Sequence, residues 1–284
     1  PGGDIGRLAV AGTVNDIAVL GAEPTALASG FIIEEGLSIE DFERILKSMG
    51  KTCQEAGVYI VTGDTKVVEH GELGGCVINT SGIGKRSEAL EKNIAEVKRH
   101  RPFNAHWLLD SNLREGDKII VSGTLGDHGV AILSSREGYD FGSQIMSDVT
   151  PLNKMIMRLL SGPGGIVAMK DPTRGGLSNA LNEWSEKSKI GILVHEEKIP
   201  IREDVRAACE MLGIDPLEVG NEGKIIIGVV REKAEEVLLA LKETKESKDA
   251  QIIGEATKQF KEVALETEVG GKRILAPPIG DPIP

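Results

Sequence analysis

The stretch SIEDFERILKSMGKTCQEAGVYIVTGDTK, residues 38–66, changes its periodicity once, and that change sets the reading of the whole chain. Ile39, Phe42, Ile45, Leu46, Met49 and Cys53 recur at spacings of three, four and their sums, which puts them on one helical face. Ser38 and Asp41 have the spacing of a capping box, and Gly57 is a stop signal. Val58-Tyr59-Ile60-Val61 is a short β-rich run, and Gly63-Asp64-Thr65-Lys66 is expected to form the turn where that strand ends. A helix leading into a strand with a polar turn beyond it is the unit of a mixed α and β fold.

The alternation continues outward. Strands are expected at 75–80, 118–121, 190–194, 225–230 and 263–266, and helices at 152–160, 177–187, 204–212 and 233–243. Residues 85–101 are rich in Lys, Arg and Glu and are expected to be a solvated helix or loop near a domain boundary. The strand at 118–121 would then open a second domain. The tail 277–284 contains four prolines and is expected to be extended and mobile.

Composition narrows the function. The 284 residues suffice for one large domain or two ordinary ones, and with 3% aromatics the core must be Val, Ile, Leu and Ala. The 33 basic against 44 acidic residues give a net charge of −11, which argues against nucleic acid or an anionic membrane as partner. No apolar run approaches the ~20 residues of a membrane span. Cys53, Cys76 and Cys209 are far apart and offer no disulfide framework, which favours a reducing cytoplasm.

Common nucleotide and hydrolase signatures are missing, and what remains is carboxylates and amides flanked by glycines. Asn15-Asp16 interrupts an apolar helical stretch. A buried carboxylate there needs donors or a cation, such as magnesium on nucleotide phosphates; an internal helix cap or an Asp–Arg pair is the alternative. Asp64, Thr65 and Lys66 put an acid, a hydroxyl and a base at a strand's end, where α/β folds commonly bind ligands. Asp171-Pro172-Thr173-Arg174-Gly175-Gly176 feeds a helix whose first N–H groups and dipole would attract an anion, with Arg174 as a bidentate donor. A loop whose glycines only make the turn is the alternative. Gly126-Asp127-His128-Gly129, at a helix start, and Asn221-Glu222-Gly223-Lys224, before an apolar strand, are weaker signals when taken singly.

In order, these segments resemble the hydrogenase maturation factor HypE family of the PurM-like superfamily, which also holds aminoimidazole ribonucleotide synthetase, selenophosphate synthetase and thiamine-monophosphate kinase. The matching strings begin with Pro1-Gly2-Gly3-Asp4-Ile5-Gly6 and Thr13-Val14-Asn15-Asp16, include Phe31-Ile32-Ile33-Glu34-Glu35-Gly36 and Thr62-Gly63-Asp64-Thr65-Lys66-Val67-Val68, and run on through the three later segments just described. The resemblance implies an α+β / α/β fold of two PurM-like domains. Residues 1–116 would form an N-terminal, ATP-binding domain that pairs strands across a homodimer, 117–276 a C-terminal α/β domain, and 277–284 a tail. It implies Mg-ATP (Mg2+) in the groove between the domains. It also implies that a carbamoyl group, placed on a C-terminal cysteine by the carbamoyltransferase HypF, is phosphorylated and dehydrated to a thiocyanate that supplies cyanide to the iron of [NiFe]-hydrogenase through a HypC–HypD scaffold complex.

By the same resemblance Asp16 and Asp64 would hold magnesium. Lys66 and Glu222 would stabilise charge and remove a proton at the carbamoyl-bearing tail, and His128 would line the active site. Asn15, Thr65, Asp171, Thr173, Arg174 and Gly175 would contact the nucleotide. Family members begin with a further strand bearing another metal-binding aspartate and end in Pro-Arg-Ile-Cys, so these 284 residues are expected to be a truncated chain that binds ATP weakly and is inactive alone. A different PurM-like kinase or synthetase and a non-catalytic maturation scaffold are the competing readings.

Overall fold

The structure is a computed structural model that describes residues 2–138 and 145–280. Pro1, and residues 281–284 of the Pro-rich tail, lie outside the described residues. Helix α1 (Ile5–Val19) starts at Asp4, whose carboxylate accepts the Arg7 N–H at 2.9 Å. It leads to β1 (Ala22–Glu34), α2 (Ile39–Ala56), β2 (Tyr59–Val68), β3 (Cys76–Arg86) and α3 (Glu88–His100).

Helix α2 forms where the periodicity puts it. Ser38 Oγ accepts the Asp41 N–H at 3.0 Å, and Gly57, at φ 79°, closes the helix. Ile45, Met49 and Cys53 join Val10 and Val14 of α1, Leu27 of β1, and Ala56 and Val58 in a small core, while Ile39 and Leu46 are exposed. Burial of this stripe, rather than helix propensity, is what holds a helix of this length.

The three-stranded sheet has the order β2-β1-β3, with β1 parallel to β2 and antiparallel to β3. Two expectations change here. The central strand β1 escaped the sequence reading because AEPTALASGFIIE has Pro, Gly, Ser and Ala where β-branched residues would signal a strand. Gly63-Asp64-Thr65-Lys66 is not a turn. It lies inside β2, paired with Ser29, Gly30, Phe31 and Ile32 of β1, and the strand runs on to Val68. Glycine suits this position because a Cβ on Gly63 would sit 2.1 Å from the Ser29 carbonyl oxygen. Strand β2 is exposed along nearly its whole length.

The second unit holds β4 (Lys118–Val121), α4 (Asp127–Glu137), α5 (Asn153–Ser161), β5 (Ile166–Lys170), α6 (Gly176–Ser188), β6 (Gly191–His195), α7 (Glu203–Leu212), β7 (Ile226–Val229), α8 (Ala234–Lys242), β8 (Gln251–Thr257), β9 (Val263–Glu266) and β10 (Lys272–Ile274). The sheet order is β10-β9-β6-β8-β4-β7-β5, antiparallel except for β6 and β9, so the α+β form of the expected classes is realised. Ile119, Ile120, Val194, Ile226, Ile227 and Ile253 from the strands and Ile156, Leu159, Leu181, Trp184 and Val237 from the helices form one continuous core.

Residues 85–101 are a third correction. Lys85 and Arg86 end β3, and α3 is no solvated segment. Its Leu90, Ile94 and Val97 are buried in the larger core, and Asn93 pins it to β5, donating to the Ile166 carbonyl at 2.7 Å and accepting the Ile166 N–H at 2.8 Å. Three apolar residues at helical spacing suffice when a buried amide satisfies a sheet edge, which the high charge of the segment conceals. Beyond β10 the chain lies on α6, where Ser178 Oγ donates to the Ala276 carbonyl at 2.6 Å and Asn182 Nδ2 to that of Leu275 at 2.8 Å.

Candidate active site

The two units meet at a cavity of about 600 Å³. Its walls include Asp16, from the C-terminal half of α1; His128, in the first turn of α4; Asp171, Thr173 and Arg174, between β5 and α6; and Glu222, in the loop entering β7. Helix α6 starts with Gly175 and Gly176 in the left-handed region at φ 64° and 58° and has no side-chain cap, so its first N–H groups remain for another acceptor. An uncapped helix start of this kind is what the Asp-Pro-Thr-Arg-Gly-Gly string predicts, and it suits an anion.

Asp16, Asp171 and Glu222 line this cavity near enough for their charges to interact. Burial raises the proton affinity of Asp16, opposed by its hydrogen bond to Asp171. Asp171 is pushed to about 6, first by burial and then by the charge of Asp16. Glu222 is pushed to about 8 by burial, reinforced by Asp171, Asp148 and Asp16. Two acids hydrogen-bonded to each other must share a proton, because like charges at that separation cannot both ionise cheaply. Burial holds His128 below the ordinary histidine range, and its Nδ1 lies 2.8 Å from Ser147 Oγ. The cavity therefore brings proton-holding acids together with Arg174 and His128.

Among the described residues no three His, Cys, Asp or Glu side chains are grouped so as to cage a metal ion. Magnesium needs less, since one or two carboxylates plus phosphate oxygens serve it, and the facing oxygens of Asp16 and Asp171 are a donor set of that kind.

The other expected residues lie elsewhere. Asp64, Thr65 and Lys66 are on β2, and Asp64 and Thr65 line a separate cavity of about 710 Å³ with Ser29, Phe31, Leu46 and Met49. Asn15, 1% exposed, is a strut between the two units. It donates to the carbonyls of Thr150 at 3.0 Å and Glu222 at 3.4 Å and accepts the Leu152 N–H at 2.8 Å. Both amide hydrogens are committed, which leaves none for a phosphate. Gly175 packs against Pro278 of the tail. The sequence reading missed Asp148, which binds the Glu222 main chain, and Arg136, which lines the cavity. Asp148 lies 74 residues from Glu222, and no local pattern announces such a pairing.

Residues 1–85 match the N-terminal domain, and residues 114–265 the C-terminal domain, of AIR synthase related proteins, so the chain is a two-domain member of that class. Within it the chain belongs to the carbamoyl dehydratase HypE family of enzymes. A Methanocaldococcus jannaschii protein named for hydrogenase expression and formation is 52% identical over 286 residues, covering 100% of this chain and 79% of that protein. Carbamoyl dehydratase HypE of Azotobacter vinelandii is 45% identical, with the same coverages of 100% and 79%. Among solved structures, hydrogenase maturation protein HypE in complex with ATP superposes with a TM-score of 0.90 at 42% identity, covering 99% of this chain and 82% of that one. A HypE–HypF complex gives 0.88 at 45% identity, covering 98% and 86%. Among the described residues no helix is long and apolar enough to cross a membrane.

Proposed function

We propose that this chain supplies the nucleotide-binding and catalytic residues for the ATP-dependent dehydration of an S-carbamoylated C-terminal cysteine to a thiocyanate, the cyanide source for the iron of [NiFe]-hydrogenase. The observation that carries the reading is the meeting of Asp16, Asp171 and Glu222 with Thr173, Arg174 and His128 in one cavity. Relatives named carbamoyl dehydratase, and a HypE structure that contains ATP, support the same reading.

An amide oxygen is a poor leaving group until it is phosphorylated. The carbamoyl oxygen attacks the γ-phosphorus, an O–P bond forms and ADP departs, while the nitrogen loses one proton. The C–O bond then breaks, the second N–H proton leaves with the phosphate, and a C≡N bond remains on sulfur. Arg174 and the N–H groups of α6 are suited to the negative charge of the transferred phosphoryl group. Glu222 would take the first proton. Because the cavity pushes it to about 8, its ionisation is tied to offsetting the charge of Asp16 and Asp171. Magnesium bound with the nucleotide would supply that charge neutralisation, with Asp16 and Asp171 as its ligands in this cavity.

Asp64, Thr65 and Lys66 would act from β2, in a homodimer that covers that strand. Tyr59, Val61 and Val67 are 75%, 67% and 60% exposed there, an apolar surface of the kind a second copy would bury. HypF would deliver the carbamoyl group, consistent with the known HypE–HypF complex, and a HypC–HypD complex would receive the cyanide. Titration calorimetry of Mg-ATP against the wild type and Asp171→Asn tests the site. The account expects about a tenfold weaker affinity in the variant. Equal affinity would remove this cavity from nucleotide binding.

A further inference from the structure

Glu222 accepts no hydrogen bond on its carboxylate from any side chain among the described residues, so its position must come from its main chain. The segment that fixes this main chain is residues 147–150, a strap between the two units in which every residue is tied to a partner elsewhere in the chain. Ser147 Oγ meets His128 Nδ1 at 2.8 Å. The Val149 carbonyl accepts Arg7 Nε at 2.8 Å, and Arg7 is itself held by Glu55 at 2.7 Å. The Thr150 carbonyl accepts Asn15 Nδ2 at 3.0 Å.

Between these ties stands Asp148, with a side chain 6% exposed. Its Oδ1 accepts the Glu222 N–H at 3.1 Å, and its Oδ2 accepts Lys224 Nζ, 10% exposed, at 3.1 Å. One carboxylate thus grips the residue it orients and the residue two places further on. The backbone closes the grip from below, because a Cβ on Gly223 would lie 1.8 Å from the Asp148 carbonyl oxygen. A buried carboxylate spent on a main-chain N–H and a paired lysine fixes a loop far more tightly than a solvated turn would.

We infer that Asp148 is a positioning residue for the reaction, holding the Glu222 loop against the strap so that the carboxyl group of Glu222 projects into the cavity. The inference rests on the role given to Glu222 under Proposed function. No contact between Asp148 and substrate is invoked; its whole effect passes through Glu222.

The test is a double-mutant cycle on the full-length, carbamoylated protein. It reads the rate of phosphate release at saturating Mg-ATP and the ATP concentration at half-maximal rate. Asp148→Ala should slow release about tenfold or more while the half-saturating ATP concentration stays within about twofold. In the Glu222→Gln background the same substitution should change the rate by less than about twofold, because the group it positions is already disabled. If Asp148→Ala does not fold, as judged by its melting transition, Asp148→Asn carries the same cycle. Asparagine keeps an acceptor for the Glu222 N–H, so the loss should be smaller, about threefold, and should again vanish in the Glu222→Gln background. Equal losses in both backgrounds would overturn the inference while leaving the role of Glu222 intact. A Glu222→Gln variant that releases phosphate at the wild-type rate would overturn that role, and the inference with it.

Discussion

Replacing Glu222 by glutamine should stabilise the unliganded protein increasingly as pH rises above about 4.5, reaching its full effect above about pH 8. The carboxyl group is raised from 4.5 to about 8 by burial and by Asp171, Asp148 and Asp16. A folded-state value above the unfolded one means that the native protein holds the proton more tightly, so this group's contribution is fully present below about pH 4.5 and is lost as pH climbs to about 8. The rise from 4.5 to about 8 would correspond to about 5 kcal/mol at ~1.4 kcal/mol per tenfold change in proton affinity. The side chain borders an open cavity, and solvent screening reduces that ceiling to about 2 kcal/mol. Glutamine copies the shape of the protonated acid and never ionises. At pH 5 the melting temperatures of Glu222→Gln and wild type should nearly coincide, and at pH 9 the variant should melt about 4–8 °C higher. A difference equal at both pH values, or a variant less stable at pH 9, would refute the claim that the cavity forces this carboxyl group to stay neutral.

Asn15→Leu should lower stability by about 3 kcal/mol at any pH in a denaturant titration, since it strands the Leu152 N–H and two carbonyls at a buried junction. A loss below about 1 kcal/mol would mean that water replaces the amide. Gly63→Ala brings a methyl group to 2.1 Å from the Ser29 carbonyl oxygen and should split β2 from β1, costing more than about 2 kcal/mol; an unchanged melting temperature would contradict the strand assignment of the Gly63-Asp64-Thr65-Lys66 run. Lys66→Ala in the full-length protein should still accept the carbamoyl group from HypF but fail to lose water from it, and normal dehydration in that variant would exclude Lys66 from the chemistry.

Segments whose structure is decided locally were legible in the sequence. Ser38, Asp41 and Gly57 fix the ends of α2 through hydrogen bonds three or four residues apart, Ile119, Ile120 and Val121 declare the 118–121 strand by their β-branching, and Val263 and Leu265 declare 263–266 by their alternation. What escaped depends on partners distant in the chain. Strand β1 exists because β2 and β3 pair with it on both sides, whatever its own propensity. Helix α3 looks solvated until Asn93 meets Ile166 across 73 residues. The site divides in the same way. Asp16, Asp171, Arg174, His128 and Glu222 stand out as polar groups beside glycines and do converge, whereas Asn15 reads as a ligand but is a strut, and Asp148 gives no local sign of the loop it grips.

The most direct test of the central claim is the mass of the C-terminal cysteine peptide of the full-length protein after incubation with HypF, carbamoyl phosphate and Mg-ATP. The account predicts a carbamoyl adduct followed by loss of one water in the wild type, and an adduct that keeps its water in Glu222→Gln. Wild-type protein that never passes the carbamoyl stage, or a Glu222→Gln variant that loses water as fast as wild type, would contradict it.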